Sequence, residues 1–404
     1  MTLTARQSVI ALFAMNAALM AGTFSRLPEV QLARGLTDGD FGWVLAFVSL
    51  GILAAMQVSP RLMATGGARG VLWQGTVLGA AVPPLLAVAP GFWTLSAAML
   101  LAGYAGGLAG VALNVEADRQ ARKTGRPLLA VSHGAWAAGF LAVSALAAGL
   151  IRLGMTPALQ FWGIGVLSLV GGFALIRGIG DAPDAARTEA VPARRLVLPG
   201  RVETGVMGFA LISVITEIQV RSWSIIVLRD MLGAADWVAA LSLPAFIAAV
   251  AAGRFLADSV ERRTGALNFA RGMAAVTGAG VALLAFSPSP LVGIVACAIV
   301  GLGVSASYPL AIAAIARRRA GTETAAISGF IVLQNAIAFV MPVLYGAAAE
   351  GWGQRAALLL LLPVSCHDAP LCRTALVLVA SAAAAANNGA AAAAAAVVED
   401  GLVM

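Results

Sequence analysis

The stretch WTLSAAMLLAGYAGGLAGVALNVEA, residues 93–117, decides the fold class of this chain. It contains no charged residue before Glu116, and it is long enough for an α-helix to cross a bilayer, which takes about 20 residues. Similar apolar runs recur about every 34 residues along the 404-residue chain. The sequence predicts an all-α membrane protein with twelve transmembrane helices. We place the runs near 8–25, 41–60, 71–90, 93–117, 128–151, 158–178, 204–228, 237–257, 268–287, 290–315, 324–348 and 354–397.

The composition agrees with this assignment. Hydrophobic residues make up 60% of the chain and charged residues 11%, whereas a soluble domain carries about 25% charged residues. So few charges cannot cover the surface of a soluble protein of this size, but a surface that faces lipid does not need them. The composition therefore argues against a soluble enzyme, a nucleic-acid-binding protein, a collagen and a disordered chain.

The basic residues indicate the orientation of the spans. Of the 26 Lys and Arg residues, 19 lie in one set of alternate loops and five in the other set. Loops rich in Lys and Arg remain in the cytoplasm. We therefore predict a multi-pass protein of the cytoplasmic (inner) membrane whose N-terminus is cytoplasmic. The net charge of +7 is explained by this topology and does not predict a nucleic-acid partner.

A polar segment divides the chain into two sets of six runs. We predict an N-terminal six-helix bundle over residues 1–179, a cytoplasmic linker loop over 180–203 and a C-terminal six-helix bundle over 204–404. Trp43 and Trp237 follow similar segments, and Arg119 and Arg317 end the fourth and tenth runs. Each half keeps the same orientation, which predicts a parallel repeat about an axis along the membrane normal.

The loop after the eighth run contains a recognisable motif. It reads Gly253-Arg254-Phe255-Leu256-Ala257-Asp258, followed by Glu261-Arg262-Arg263 and Gly265, and it resembles the G-x-x-x-D-R-x-G-R loop of the major facilitator superfamily. The loop over residues 60–70 is a degraded copy without the Asp. Gly favours a short chain reversal, and an Asp at a helix end can bind a helix N-terminus or an Arg and so stabilise one conformation. The alternative is a basic loop that only sets topology. We predict a cytoplasmic gate made of Gly253, Arg254, Asp258, Arg262, Glu116 and Arg119.

A finer resemblance is to a bacterial branch of this superfamily that is similar to the fucose permease group. It rests on three stretches: Asn114-Val-Glu116-Ala-Asp118-Arg119, Ser132-His133-Gly134-Ala135-Trp136, and Glu217 to Trp223 with Leu228-Arg229. The family implies a secondary transporter that works by alternating access. It also implies that the solute is held near the middle of the membrane, between the two halves.

The seventh run contains the strongest candidate site, Glu217-Ile-Gln219-Val-Arg221-Ser-Trp223. An ionisable side chain inside a span costs about 2.5–3.5 kcal/mol on insertion scales, so each one needs a reason. Glu217 and Arg221 are four residues apart and share a helix face, where they can pair. We predict that Glu217 carries a proton or helps to bind a polar solute, with Arg221 as its switchable partner. The alternative is a static ion pair near the outer end of the span.

The fourth run contains two pairs of small residues that permit close helix packing, Gly103/Gly107 and Gly106/Gly110. Asn114 lies one turn beyond Gly110, so we expect it on a packed face, where it either lines a cavity or bonds to a neighbouring helix.

Six more side chains complete the predicted proton-coupling or substrate-binding set. Central polar groups suit a sugar-like solute, histidine suits a proton relay, and tryptophan can stack on a solute ring. Structural alternatives remain open: bonding between helices for the amides, a hydrogen bond at a helix start for the histidine, and an interfacial anchor for each tryptophan. The six residues are Asn16, Gln334, Asn335, His133, Trp136 and Trp223.

The last run departs from the family pattern. After the leucine-rich segment from Arg355 to Pro363, the chain continues through Cys366-His367-Asp368 and an Ala tract interrupted by Asn387-Asn388. We therefore expect the twelfth helix to be irregular. The spacing of the Cys and His residues matches no zinc pattern, so we predict no metal site.

These observations predict a secondary active transporter that moves a small polar solute, sugar-like or similar, by alternating access in proton-coupled symport. Its expected partners are the solute, protons and the lipid bilayer, and the chain is expected to be a monomer. The alternatives are proton-driven efflux of small molecules, a non-transporting membrane sensor and a membrane-embedded enzyme. Without a Walker loop, an H-E-x-x-H motif or a converging catalytic set, we predict no enzyme activity, no cofactor and no ATP-driven transport.

Overall fold

A computed structural model describes residues 3–180, 203–307 and 323–362, and every regular element in those ranges is helical. The described residues up to 180 are called the first half, and those from 203 onward the second half. The helices of the first half are α1 (Ala5–Phe24), α2 (Leu27–Ala33), α3 (Asp38–Val88), α4 (Phe92–Thr124), α5 (Leu129–Arg152) and α6 (Pro157–Arg177).

The second half begins with α7 (Glu203–Ile226), which continues into a π-helical turn (Val227–Met231). Its other helices are α8 (Asp236–Ala240), α9 (Ser242–Thr264), α10 (Ala266–Ala285), α11 (Pro290–Val304), α12 (Glu323–Trp352) and α13 (Gln354–Leu359). Most of the predicted linker loop (residues 181–202) and of the irregular last span (residues 363–404) lies outside the described residues.

The predicted all-α membrane class is confirmed. Eight helical segments in the described part of the chain are long and apolar enough to cross a bilayer. Large apolar side chains are also exposed along one face of α6, where Leu167 is 69% exposed, Val170 62% and Phe173 45%. Such a surface is costly in water and suits lipid. The count of twelve spans and the two six-helix bundles remain predictions.

Helix α3 consists of two arms that fold back on each other at Gly67. This residue has φ 62° and ψ 179°, a backbone conformation that glycine adopts readily. Gly51 in the first arm lies against Tyr104 of α4, and Gly75 in the second arm lies against Ala105. In one continuous helix these two glycines would be about 36 Å apart. The two arms therefore correspond to the separate runs predicted at 41–60 and 71–90.

The two halves pack their helices in the same register. A Cβ atom added to Gly103 of α4 would overlap the carbonyl oxygen of Val48 in α3. One added to Gly301 of α11 would overlap the carbonyl oxygen of Phe246 in α9. Both residues of the second pair come 198 positions after their counterparts in the first pair, so the same helix crossing occurs in each half. This observation supports the predicted internal repeat.

The chain reversals follow the same register. Gly265, between α9 and α10, has φ 79° and comes 198 positions after Gly67. Trp43 and Trp237, which the sequence analysis used as marks of the repeat, are 194 positions apart and do not fit this register. The packing glycines and turn glycines mark the repeat better than the tryptophans because they are required by the backbone geometry.

The helix ends define two ends of the molecule. The α2 end contains α2, α8, the start of α3 and the end of α12. The linker end contains the turns at Gly67 and Gly265, the α4–α5 connection and the start of the linker. Trp93, Trp162 and Trp352 lie at or near the α2 end and are 77%, 52% and 75% exposed. Exposed tryptophans at one level are typical of a membrane–water interface.

Candidate functional site

Hydrogen bonds join the two halves at the α2 end. The Asp38 carboxylate accepts from Gln31 Nε2 in its own half at 2.9 Å and from Gln354 Nε2 in the second half at 2.8 Å. Arg229 Nη1 donates to the carbonyl oxygen of Pro28 at 2.9 Å. These bonds pair charged with neutral groups, which makes them stronger than bonds between neutral groups.

Helices α3 and α12 approach closely beside these bonds. A Cβ atom at Gly42 would overlap the carbonyl oxygen of Pro342, and one at Gly346 would overlap the carbonyl oxygen of Asp38. The backbone N–H of Gly39 also donates to Glu350 Oε2 at 3.0 Å. The two halves are therefore in direct backbone contact at this end.

Aromatic rings fill the next layer between the halves. Trp223 of α7 is 1% exposed, and its ring lies edge-on to Phe41 of the first half with 5.4 Å between ring centroids. On its other side, Tyr345 lies 4.7 Å away, and the Tyr345 hydroxyl donates to Gln354 Oε1 at 3.3 Å. Trp223 thus connects the two halves instead of lining an open surface.

The described residues of the linker end show fewer contacts between the halves. Among the residues that the structure describes, no hydrogen bond joins the two halves there, and the interaction of His133 with Arg254 of the second half is electrostatic only. His133 and Arg254 are exposed. A Cβ atom at Gly110 or Gly134 would meet nothing within 4 Å. In the described part of the chain, the hydrogen bonds between the halves are thus confined to the α2 end.

Helix α4 has one packed face and one open face. Gly103 and Gly107 lie against Val48 and Ala55 of α3, as their spacing predicts. Gly106 and Gly110, by contrast, have open space around them. Asn114 continues this open face: it is exposed, and its Nδ2 donates to the Gly110 carbonyl oxygen on its own helix at 2.8 Å. The expectation that Asn114 lies on a packed face is therefore wrong.

A cavity of about 290 Å³ lies in the first half between α1, α3, α4 and α6. Its polar lining includes Asn16, Thr76 and Ser168, and Gly106 contributes the small-residue wall of α4. Within the described residues the side-chain amide of Asn16 makes no hydrogen bond. The alternative that Asn16 bonds to a neighbouring helix is therefore not observed, and the amide is available to a ligand.

Helix α7 presents two opposite faces. Gln219 and Trp223 are buried, and Gln219 Nε2 donates to the Met341 carbonyl oxygen of α12 at 2.8 Å. Glu217 and Arg221 are each two residues from Gln219. Because each residue turns the helix by about 100°, both point about 200° away from the buried face. Both are partly exposed. No ion pair joins them within the described part of the chain, although Glu217 acts on Arg221 electrostatically.

The two predicted amides of α12 are arranged differently. Asn335 Nδ2 donates to the Ile331 carbonyl oxygen one turn earlier at 2.9 Å. Gln334 Oε1 is buried and has no hydrogen-bond partner among the residues that the structure describes. On α5, His133 lies 5.2 Å from the Phe13 ring, and Trp136 lies 5.4 Å from the Phe140 ring. The His133 and Trp136 rings therefore pack against the first half, near the linker end.

The predicted gate residues of the first half form a buried cluster. Glu116 is 0% exposed. Arg119 Nε lies 2.7 Å from Glu116 Oε2, and Arg119 Nη2 donates to the Gly180 carbonyl oxygen at 3.2 Å. Gln120 Nε2 donates to Glu116 Oε1 at 2.7 Å. This cluster ties the end of α4 to the start of the linker.

The motif loop of the second half uses its glycine differently from the sequence expectation. Gly253 lies inside α9, where an added Cβ atom would overlap the Ser305 hydroxyl, so close packing requires this glycine. The chain reversal is at Gly265 instead. Arg254 Nε donates to the Ser305 carbonyl oxygen at 3.2 Å. Asp258 has no ion-pair partner among the described residues, and Arg262 Nη2 donates to Ser259 Oγ at 3.4 Å.

Sequence analysis missed the residues that join the halves at the α2 end. Gln31, Asp38 and Gln354 lie at the ends of apolar runs, where polar residues are expected in any membrane protein. One local signal was available: Thr37 and Asp40 form a capping box at the start of α3, which marks a fixed helix start at this point.

Comparisons with known proteins agree with this architecture. A transporter of Sinorhizobium fredii, y4wD, described as uncharacterized, is 30% identical over 355 residues, which cover 86% of this chain and 89% of that relative. The membrane protein MosC of Rhizobium meliloti is 24% identical over 87% of this chain and 85% of its own.

Solved structures show the same fold at low sequence identity. A mutant of the nucleoside transporter NupG superposes with a TM-score of 0.76 at 10% identity, covering 93% of this chain and 99% of NupG. A bacterial homologue of the human lysosomal transporter Spinster, in an inward-facing and occupied conformation, gives a TM-score of 0.68 at 11% identity, covering 93% of this chain and 96% of that one. The family model for the Major Facilitator Superfamily matches residues 9–341. The chain is a multi-pass membrane protein that belongs to the major facilitator superfamily.

Proposed function

We propose that this protein is a secondary active transporter that moves a small polar solute by alternating access, in symport with protons. The observation that carries the proposal is the difference between the two ends: among the described residues, hydrogen bonds join the halves at the α2 end and none joins them at the linker end. A protein that exposes its interior from one side at a time needs such an arrangement.

We also propose that the linker end faces the cytoplasm of a bacterium and that the α2 end faces outward. The distribution of Lys and Arg supports this orientation. In this orientation the described conformation opens to the cytoplasm. The test is protease treatment of the protein with a tag at its N-terminus. We expect the protease to cleave the tag in inside-out vesicles but not in intact cells.

The polar side chains inside the membrane support a solute that forms hydrogen bonds. Asn16 lines a cavity. Within the described ranges its amide makes no hydrogen bond, and Gln334 Oε1 has no hydrogen-bond partner. Intramembrane polar groups without partners are costly and mark solute or ion pathways. A sugar-like solute remains our prediction, as does the resemblance to the fucose permease group. NupG, which shares the fold, is named a nucleoside transporter, so nucleosides belong in the test panel.

The test is uptake of labelled sugars, polyols, sugar acids and nucleosides into proteoliposomes, with and without an inward pH gradient. We expect one solute class to accumulate above its external concentration only when the gradient is present. Flux of a solute that is independent of the gradient contradicts the proton coupling, and the absence of flux for every solute contradicts transport.

Glu217 is the proposed proton carrier. Glu217→Gln keeps the size and polarity of the side chain but removes its ability to exchange a proton. We expect loss of gradient-driven accumulation, while exchange of labelled for unlabelled solute continues. Asp118→Asn is the control, because Asp118 is an exposed carboxylate paired with Arg122 at the linker end. Full proton-driven uptake by Glu217→Gln would contradict the role of Glu217.

A further inference from the structure

Arg221 differs from the other deeply placed arginines of this protein. Arg26 is 1% exposed; it forms an ion pair with Glu29 at 2.7 Å and donates to Gln160 Oε1 and to the Met155 carbonyl oxygen, both at 2.8 Å. Its charge and its N–H groups are therefore satisfied by protein atoms.

Arg221 has no comparable set of partners. Its Nε is buried and makes no hydrogen bond, and in the described residues its guanidinium forms neither an ion pair nor a hydrogen bond. Glu217, one turn away, acts on it electrostatically but is not within ion-pair distance. A guanidinium inside a membrane protein normally bonds to a counter-ion or to backbone carbonyls, so Arg221 lacks the partner that its position requires.

Arg221 points away from α12 and from the first half. Those neighbours contact the opposite face of α7, through Gln219 and Trp223. The Glu217–Arg221 face is partly exposed, and Arg221 lies about 27 Å along α7 from its start at Glu203 on the linker side. A small ligand that enters from the linker end can therefore reach the exposed part of this face.

We propose that Arg221 binds a carboxylate group of the transported solute. This inference rests on the proposed function and narrows the solute class from polar molecules in general to monocarboxylates that also carry hydrogen-bonding groups. The planar guanidinium presents two parallel N–H donors that match the two oxygens of a carboxylate. One guanidinium balances one negative charge, whereas a phosphate monoester carries nearly two, so a carboxylate fits better than a phosphate.

The first experiment uses the wild-type protein and three matched probes: glucose, gluconate and glucose 6-phosphate, followed by the same comparison for other sugars of three to seven carbons. Uptake into proteoliposomes and thermal stabilisation of the purified protein are measured. We expect uptake and stabilisation with a carboxylate form and neither with its neutral or phosphate counterpart. Preference for the neutral or phosphate form overturns the inference but leaves the transport function intact. A protein that moves no probe in the panel contradicts both proposals.

The second experiment uses variants. Arg221→Gln removes the charge, and loss of a charged hydrogen-bond pair should raise the KM for the carboxylate probe about 10- to 100-fold. Arg221→Lys keeps the charge without the paired donors and should give a smaller increase. Arg263→Gln is the control, because Arg263 is exposed on the linker side of α9, and its KM should equal that of the wild type. An unchanged KM in Arg221→Gln overturns the inference. If Arg221→Gln does not fold, Arg221→Lys and the comparison of probes on the wild-type protein still test whether Arg221 binds the carboxylate.

Discussion

The two ends of this molecule are built from the same kinds of residues but join the two halves differently. At the α2 end, Asp38 and Gln354 bond across the halves at 2.8 Å, and glycines bring α3 and α12 into backbone contact. At the linker end, the Glu116–Arg119 pair is made within one half. The comparison teaches that polar clusters at helix ends serve two purposes here. One cluster closes the gap between the halves, and the other stabilises a single half.

The helix packing inside the two halves is more alike than the contacts at the two ends of the molecule. The Gly103–Val48 contact of the first half and the Gly301–Phe246 contact of the second half are the same helix crossing. The two halves therefore share this internal packing, whereas the proposed transport cycle requires the contact between the halves to change. Changes at the α2 end should alter that contact, and equivalent changes on open surfaces should not.

The largest effect is expected from Gly42→Val. The added side chain would overlap the Pro342 carbonyl oxygen, and overpacking of this kind costs about 1–3 kcal/mol. Ser224, which follows Trp223 on α7, is 1% exposed. We expect the α2 end to open, so that a cysteine introduced at Ser224 reacts at least tenfold faster with an impermeant thiol reagent added at that end. Gly110→Val is the matched control, since open space surrounds Gly110. Equal labelling rates in both variants would show that the α2 end is not closed by this contact.

A smaller effect is expected from Asp38→Asn. The carboxylate accepts one amide from each half, and an asparagine loses the charge and one acceptor oxygen. A hydrogen bond to a charged group contributes about 1.5–3 kcal/mol, so we expect a several-fold increase in the same labelling rate and a lower rate of solute exchange. Asp118→Asn changes the charge equally on an exposed surface, and it should behave as the wild type. An Asp38→Asn protein with wild-type labelling would exclude Asp38 from closure.

The smallest effect is expected from Arg229→Gln. This change removes the hydrogen bond to the Pro28 carbonyl oxygen and the ion pair with the neighbouring Asp230. Only the first joins the halves, and at this partly exposed position we take the lower value for a charged hydrogen bond, about 1.5 kcal/mol. We expect labelling at Ser224 to increase about two- to fivefold, less than in Asp38→Asn. A larger increase than in Asp38→Asn would reverse the proposed order of importance.

Much of the fold could be predicted from the sequence. The apolar runs predicted at 93–117, 128–151 and 158–178 correspond to α4, α5 and α6 within a few residues at most ends, because the length and polarity of a spanning helix are local properties. The spacing of Gly103 and Gly107 also predicted close packing correctly. It could not separate their packed face from the open face of Gly106 and Gly110, because both pairs have the same spacing.

The candidate site could be predicted only in part. Glu217 and Arg221 stand out because charged residues are rare in apolar runs, and both remain candidates. Trp223 has an equally suitable sequence context, yet it is buried between the halves against Phe41. Its role depends on the rotation of α7 relative to a helix of the first half, and no local pattern specifies that rotation.

From residue types and spacing alone, this chain is a helical membrane protein in which Glu217 and Arg221 are unusual, and its spans are predicted to come in two related sets. Each of these follows from transfer of side chains into lipid, which depends on residue type and spacing along the chain. The tertiary structure alone decided that Gln31, Asp38 and Gln354 meet, and that one end of the molecule is closed. Residues more than 300 positions apart come together there, and their contact depends on how whole helices pack.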